Sequence, residues 1–154
     1  MSRKLERVVT LDVDPATALF HATDVNGHAL TVDMAVKLGQ RAGRGYAARD
    51  LLLVALVGCS GSSFIKALHD FEQPVSALSV RVSGTIQAEP PQVFRAIDVL
   101  FRVSGERLDT ERVREALFTC RGDCSIAATL GQLAEIAFDV EIVPSAANRA
   151  TAIV

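Results

Sequence analysis

Apolar residues are most concentrated between Asp50 and Phe71, where the run LLLVALVGCSGSSFIKALHDF becomes small and polar after Gly58. A helix that is apolar on nearly all sides belongs inside a protein core. At about 1.5 Å per residue, such a helix spans roughly 30 Å, the width of a small domain. The pattern therefore predicts a long buried helix with Cys59 in its middle, and the other elements are expected to wrap around it.

Three strands are predicted ahead of this helix. Alternating residues indicate a first strand over 8–13, and two further runs, Leu19 to Val25 and His28 to Met34, flank the dipeptide Asn26-Gly27. Asn-Gly readily takes the two positive φ angles of a type I′ turn, so these runs are expected to form a hairpin. The basic, glycine-rich segment Gly39 to Gly45 is then expected to be a flexible loop that leads to the helix.

The segment after the helix predicts a pair of strands. Apolar and polar residues alternate from Leu78 to Ser83, as they do in a strand with one buried face, and Glu89-Pro90-Pro91 marks a turn. The return strand is expected to place the following residues on one face: Val93, Ile97, Val99, Phe101 and Val103. The two strands should therefore pair antiparallel.

Two helices and a closing strand are predicted for the rest of the chain. Asp109 can cap the first helix, because its carboxylate can accept the free amide hydrogens of the first turn, and Gly122 ends it. Its buried face is expected to carry Val113, Ala116, Leu117 and Cys120. Asp123 is expected to cap a third helix through Ala137, and Phe138, Val140 and Ile142 alternate in the last strand before a mobile tail from Pro144. This order of elements is that of an α+β domain.

Length and charge narrow the class of protein. The 154 residues suggest one domain with a core of ordinary size, and the net charge of −2 gives no indication of a nucleic-acid or membrane-surface partner. Leu51 to Gly58 is too short for a membrane span, and the N-terminal residues lack the apolar core and cleavage site of a signal peptide. We therefore expect a cytoplasmic protein. Because the helix carries more apolar surface than the short strands can cover, we also expect a homodimer.

The three cysteines carry the candidate chemistry. An odd number in a chain of this size does not suggest a disulfide framework, so they are thiols or a redox pair. A buried cysteine is ordinarily a small hydrophobe. Cys124, however, is predicted in the first turn of a helix, where free amides favour the thiolate, and the glycines and serines around Cys59 leave room for a second thiol.

Other constellations are weaker. Cys120 and Cys124 in CRGDC form a possible redox or metal pair, although their spacing crosses Gly122. The three histidines, His21, His28 and His69, are scattered without the spacing of a helical metal site. No metal or organic cofactor is therefore expected.

Two motifs in the chain resemble those of a known family. LLLVALVGCSGSS resembles the central-helix motif of the osmotically inducible protein C and organic hydroperoxide resistance (OsmC/Ohr) family, and CSIAATL resembles its second-cysteine motif. The match covers about Gly27 to Val143 and implies an OsmC-like fold, with antiparallel sheets wrapped around a long central helix in an intertwined homodimer. It further implies that Cys59 attacks a hydroperoxide to give a sulfenic acid and that Cys124 resolves it as a disulfide. Dithiols, often lipoyl groups, would then reduce the disulfide.

The chain departs from the peroxidase branches of that family at one position. Those branches carry a glutamate ten residues before the first cysteine, paired with an arginine that holds the thiolate, whereas this chain has Arg49 there. The candidate thiolate-stabilising residues are therefore Arg41 or Arg44 from the loop and Arg49 from the partner subunit. The sequence favours a cytosolic thiol peroxidase or thiol-redox protein in an OsmC-like branch apart from the established peroxidase branches. A non-enzymatic binding module and a redox sensor remain the alternatives.

Overall fold

The structure, a computed structural model, describes residues 7–41 and 43–144. Its elements follow the predicted order of three strands, a long helix, two strands, two helices and a strand, with a short 3-10 helix added after the third strand. The elements are β1 (Thr10–Asp14), β2 (Leu19–Thr23), β3 (Ala29–Asp33), the 3-10 helix (Ala35–Leu38), α1 (Ala48–Asp70), β4 (Val75–Ile86), β5 (Phe94–Gly105), α2 (Thr110–Asp123), α3 (Ser125–Leu130) and β6 (Glu135–Ile142). The mixed α+β class is confirmed, while residues 145–154 of the predicted tail lie outside the described residues.

The chain divides into two compact units, Met1–Leu52 and Leu53–Val154. The first holds a three-stranded sheet in the order β1-β2-β3, and the second holds another in the order β4-β5-β6. The expectation of a single domain over residues 1–154 stays a prediction.

The hairpin of the first unit forms as predicted, but its turn does not. β2 pairs antiparallel with β3, and the amide of Gly27, whose φ is +85°, donates to the carbonyl oxygen of Asp24 at 3.0 Å. The Asp24 carboxylate accepts hydrogen bonds from the amides of Asn26 (2.9 Å) and His28 (2.8 Å). Asn26 does not have the positive φ that a type I′ turn requires, so that prediction is wrong. The Asp24 side chain organises the turn instead.

The loop after β3 is tied to the sheet through a buried carboxylate. Asp33, 3% exposed, accepts hydrogen bonds from the amides of Ala35 (2.9 Å), Gly43 (3.1 Å) and Arg44 (3.0 Å). These amides, led by that of Ala35, lower the pKa of Asp33. The Arg44 guanidinium lies 3.5 Å from the same carboxylate and donates to the carbonyl oxygen of Thr17 at 3.3 Å. Residues 43 and 44 of the glycine-rich loop, which was expected to be flexible, are thus held by Asp33.

The sheet of the second unit is built around β5. β4 pairs with it antiparallel, as predicted, for example at Leu78 opposite Val103, whereas β6 pairs with it in parallel. Parallel neighbours need a crossover connection, and α2 and α3 supply it. This crossover places the start of α3 beside the sheet on which α1 packs.

A bulge near the start of β5 changes one predicted face. Ala96 pairs with Thr85, but Phe94 pairs with Ile86, so Arg95 is an extra residue on its strand. The alternation of buried and exposed residues along the strand is therefore shifted by one residue before this point. Val93, which was expected to be buried, is 36% exposed and Phe94 is buried in its place. The other predicted core positions of the strand are buried: Ile97, Val99, Phe101 and Val103.

The helix α1 forms within two residues of its predicted bounds, but a single chain buries only one of its faces. The face of α1 that carries Phe64 packs on β5, where the Phe64 and Phe101 rings are 4.7 Å apart. Ile65 on another face remains 52% exposed. The expectation of burial on nearly all sides is therefore wrong for a single chain.

The length of α1 also bears on the membrane question. At 23 residues, α1 is long and apolar enough to cross a membrane by length and composition, a test that core helices also pass. The run Leu51 to Gly58, which was judged too short for a span, is only part of this helix. The packing of α1 on β5 nevertheless favours a core helix.

The helix α2 matches its prediction and α3 does not. The Asp109 carboxylate accepts hydrogen bonds from the amides of Glu111 (2.9 Å) and Arg112 (3.2 Å), as expected for the cap of α2. The buried face of α2 carries the predicted residues, Val113, Ala116, Leu117 and Cys120. The helix α3 is capped by Cys124 rather than by Asp123, and it ends at Leu130. Ala137, the predicted end of that helix, lies in β6.

Candidate active site

Two of the three cysteines meet within the second unit. Cys59 lies on α1 with its side chain partly exposed, and Cys124 lies between α2 and α3 and is 1% exposed. The two thiols are near enough to shift each other's pKa, and the Cys59 Sγ atom lies 3.9 Å from the Ser125 Oγ atom. Both cysteines are free thiols. The structure thus brings together the two residues in which the sequence placed the candidate chemistry.

Local conformation explains how these groups converge. Ser60 and Gly61 face the core, where the Ser60 hydroxyl donates to the carbonyl oxygen of Leu56 at 2.8 Å, so Cys59 lies at the edge of the packed face. Cys124 has an extended conformation, with φ −86° and ψ 104°, which ends α2 and begins α3. The first residues of a helix have amide hydrogens without partners inside the helix. The amides of residues 125 and 126 are therefore available to the Cys59 sulfur.

These donors favour the thiolate form of Cys59. A hydrogen bond from the Cys124 thiol lowers the pKa of Cys59 most, and the amide of Ile126 and the hydroxyl and amide of Ser125 act in the same direction. Partial burial opposes them because it disfavours the charged form. The net effect is a pKa below the ordinary value for cysteine, which is the property of a reactive thiol.

The pKa of Cys124 is shifted in the opposite direction. Burial raises the pKa of Cys124, and its hydrogen bond to Cys59 raises it further, although the amides of Ala127 and Ile126 lower it. The sequence predicted that a position in the first turn would favour a thiolate at Cys124, and this is wrong. Cys124 is the cap of α3, and its Sγ atom accepts a hydrogen bond from the amide of Ala127 at 3.3 Å.

The third thiol is isolated from solvent. Cys120 is fully buried, and its Sγ atom donates to the carbonyl oxygen of Leu117 at 3.1 Å. Burial raises the pKa of Cys120 to about 11, and the charge of Cys124 raises it too. Cys120 is therefore a core residue with a suppressed thiolate, even though it shares the CRGDC segment with Cys124.

The three candidate arginines lie in the first unit. Arg44 is engaged with Asp33 and with the carbonyl oxygen of Thr17, Arg41 is exposed and Arg49 is partly buried. The groups that lower the pKa of Cys59 most lie instead in residues 124–126. The assignment of an arginine to Cys59 stays a prediction.

The histidines were expected to be structural or exposed. The His28 ring lies 2.9 Å from the Asp24 carboxylate, and the His21 ring lies 3.2 Å from the Thr31 hydroxyl. Within 7–41 and 43–144, no group of three or more His, Cys, Asp or Glu side chains is placed to hold a metal ion.

The sequence reasoning missed Ser125. The only available signal was its place directly after Cys124 at the predicted start of a helix. A serine there can present its hydroxyl next to the free amides of the first turn, but nothing in the local sequence indicates that Cys59 will lie opposite.

The fold and the site together define a two-cysteine α+β protein, with one thiol on a long helix and the other at the start of a short one. Residues 41–141 match the family described as OsmC-like protein. The chain therefore belongs to the OsmC-like protein family, as the resemblance of its cysteine motifs to OsmC/Ohr proteins indicated.

Individual relatives agree with this assignment. The protein YhfA of Escherichia coli strain K12 is 25% identical over 125 residues, which cover 80% of this chain and 90% of the relative. The crystal structure of an OsmC-like protein from Mycoplasma pneumoniae has a TM-score of 0.75 at 17% identity, covering 93% of this chain and 99% of that one. The organic hydroperoxide resistance protein OhrB of Bacillus subtilis has a TM-score of 0.60 at 16% identity, covering 89% and 98%. These two structural likenesses show a shared fold.

Proposed function

We propose that this protein is a cysteine-based thiol peroxidase that reduces organic hydroperoxides through Cys59 and Cys124. The observation that supports it is the contact between the two thiols, in which the pKa of Cys59 is lowered and that of Cys124 is raised. This favours an anionic nucleophile beside a thiol that keeps its proton. The hydroperoxide-resistance names among the structural relatives favour the same class of substrate.

The proposed first step is the attack of the Cys59 thiolate on the terminal oxygen of the hydroperoxide. An S–O bond forms, the O–O bond breaks, and the alkoxide leaves and takes a proton from solvent to become the alcohol. Cys59 is thereby oxidised to a sulfenic acid. The nucleophile in this step is the thiolate, which is why the lowered pKa of Cys59 matters.

The proposed second step joins the two cysteines. The Cys124 sulfur attacks the sulfur of the sulfenic acid, an S–S bond forms, and the hydroxyl group leaves as water with the Cys124 proton. A small dithiol, such as a lipoyl group, then reduces the disulfide and is itself oxidised to a disulfide. Both cysteines are thereby returned to thiols for the next turnover.

The assembly and location of the protein belong to the same proposal. We propose that it works in the cytoplasm, where free cysteines persist, as a homodimer in which a second copy covers the exposed apolar face of α1. Arg41, Arg44 and Arg49 are the proposed candidates for an additional charged partner of the thiolate. Light scattering at micromolar concentration tests the dimer, and a stable folded monomer would contradict it.

The test of the function is the consumption of cumene hydroperoxide with dihydrolipoamide as reductant. We expect turnover by the wild-type protein, its loss in Cys59→Ser, and a single reaction without sustained turnover in Cys124→Ser. Cys120→Ser is the matched control, since that thiol is buried away from solvent, and it should retain turnover. Unchanged turnover in Cys59→Ser would contradict the proposal.

A non-enzymatic binding module or a redox sensor is the second candidate. The observation that favours it is Arg49, which stands where the peroxidase branches carry a glutamate. A wild-type protein that reacts once with hydroperoxide but is not reduced by the dithiol would be a sensor. A protein that does not react at all would be a binding module.

A further inference from the structure

The donors around Cys59 are divided between a buried side and an open side. Cys124, whose thiol lowers the pKa of Cys59, is 1% exposed, whereas Ser125 is exposed and its Oγ atom lies 3.9 Å from the Cys59 Sγ atom. Cys59 itself is partly exposed. A molecule from solvent therefore reaches the sulfur on the side where the Ser125 hydroxyl lies.

The Ser125 hydroxyl can also change its hydrogen-bond acceptor during the reaction. In the resting protein it points to Cys59, and toward a thiolate it can only be the donor. When the thiolate attacks a hydroperoxide, negative charge leaves the sulfur and develops on the departing oxygen. A hydroxyl can rotate about its C–O bond to suit a new acceptor, whereas the amides of residues 125 and 126 are fixed by the helix.

We propose that Ser125 is a catalytic residue, whose hydroxyl donates a hydrogen bond to the oxygen that leaves as the O–O bond breaks. The inference rests on the proposed function and adds a residue to its first step. The Cys59 sulfur forms the S–O bond, the electron pair of the O–O bond goes to the alkoxide oxygen, and Ser125 stabilises that oxygen until it takes a proton from solvent. Donors aimed at charge that develops in a transition state are a major source of rate enhancement.

If Ser125 only stabilised the resting thiolate, its removal would have a different effect on the rate. Removing such a donor raises the pKa of the thiol, and thiolates of higher pKa are intrinsically more nucleophilic. Above the pKa of Cys59, where the thiolate is fully formed, the rate would then be unchanged or slightly higher. A donor that acts on the leaving oxygen instead lowers this plateau rate.

The experiment measures the plateau rate constant of reduced, full-length protein with two electrophiles. Cumene hydroperoxide leaves an oxyanion, whereas iodoacetamide leaves an iodide that needs no hydrogen bond. Single-turnover loss of the Cys59 thiol, followed by peptide mass spectrometry, gives both constants as a function of pH. The variants are Ser125→Ala, Ser125→Thr, which keeps the hydroxyl, and Ser62→Ala.

Ser62 provides a matched control on the same side of α1. Its hydroxyl donates to the backbone carbonyl oxygen of Cys59 at 2.8 Å, and it is exposed like Ser125. Ser62→Ala therefore removes a serine hydroxyl next to Cys59 without removing a donor to its sulfur. Circular dichroism and urea unfolding check that each variant is folded.

We expect Ser125→Ala to lower the plateau constant for the hydroperoxide by about tenfold or more, the usual worth of a hydrogen bond to a charged group. The constant for iodoacetamide should stay within about threefold, because its plateau depends on the thiolate alone. Ser125→Thr should recover most of the hydroperoxide rate, and Ser62→Ala should match the wild type.

The outcomes separate this inference from the proposed function. Equal losses with both electrophiles, or no loss in Ser125→Ala while the wild type reduces hydroperoxide, would overturn the role of Ser125 and leave the peroxidase intact. A wild-type protein that does not react with hydroperoxide would overturn both.

Discussion

Cys124 affects the pKa of both Cys59 and Cys120, but the surroundings of these two thiols differ. Cys59 is partly exposed, and the Cys124 thiol, the Ser125 hydroxyl and the amides of residues 125 and 126 lower its pKa. Cys120 is fully buried and donates its own hydrogen to a carbonyl oxygen, and burial raises its pKa to about 11. The comparison teaches that donors around the sulfur, rather than nearness to another cysteine, separate a reactive thiol from an inert one.

The largest expected difference between these two thiols is in alkylation. At pH 7.5, fewer than about one Cys120 side chain in a thousand is ionised if its pKa is about 11, and burial further blocks the reagent. We expect iodoacetamide to modify Cys59 at least about a thousandfold faster, as measured by peptide mass spectrometry over time. All three cysteines should react alike in urea, and comparable rates in the folded protein would refute the comparison.

The second difference is in stability. Cys120→Ala removes a sulfur from a packed core and should lower the free energy of unfolding by about 1–2 kcal/mol. Cys59→Ala removes a partly exposed side chain and should cost about half of that or less. Urea denaturation of the two variants gives both values, and equal losses would show that Cys59 is a core residue as well.

The third difference is in how stability depends on pH. Cys120 ionises near its ordinary value of 9.0 in the unfolded chain but only near 11 in the folded one. As pH rises above 9, ionisation therefore stabilises the unfolded state before it stabilises the folded one. The contribution of Cys120 to the free energy of unfolding is fully present below pH 9 and is lost as pH rises toward 11. We expect the wild type to lose about 2 kcal/mol of its free energy of unfolding over this range and Cys120→Ala to lack that loss. Urea unfolding at several pH values tests this, and identical profiles for the two proteins would contradict it.

The smallest expected effect concerns the arginines. The hydrogen bonds from residues 124–126 to Cys59 do not depend on a guanidinium, and Arg44 is already engaged with Asp33. Changing Arg41, Arg44 or Arg49 to Met should therefore move the midpoint of Cys59 alkylation by less than about half a pH unit, since the groups of residues 124–126 that lower the pKa of Cys59 remain in each variant. A rise of about one unit or more in one variant would identify that arginine as the charged partner of the thiolate.

Local signals in the sequence predicted α2 well. The Asp109 cap and the buried face from Val113 to Cys120 depend on residues within a few positions of each other, so the sequence itself contains the information. The helix α3 and the strand β6 were harder. Residues 126–137 are rich in Ala, Leu and Ile, which fit a helix, but the alternation that marks β6 begins at Glu135 and parallel pairing with β5 decides it.

The turn and the site show what local patterns miss. Asn26-Gly27 is a strong signal for a type I′ turn, but the Asp24 side chain competes for the same amides and the competition is not visible in a dipeptide. The two candidate cysteines, Cys59 and Cys124, could be named from their motifs. The donors to Cys59 could not, because they are mostly backbone amides and belong to a segment that tertiary packing brings to α1.

The parallel pairing of β6 with β5 determines when, during synthesis of the chain, the surroundings of Cys59 are completed. A protein leaves the ribosome from its N-terminus, so α1 with Cys59 emerges long before α3 and β6. Because α2 and α3 are the crossover between β5 and β6, the donors in residues 124–126 reach Cys59 only after that crossover has docked. Until then, Cys59 has the pKa of an ordinary cysteine in an incomplete chain. The lowered pKa of Cys59 is therefore a property that the nascent chain acquires only when its last elements have folded.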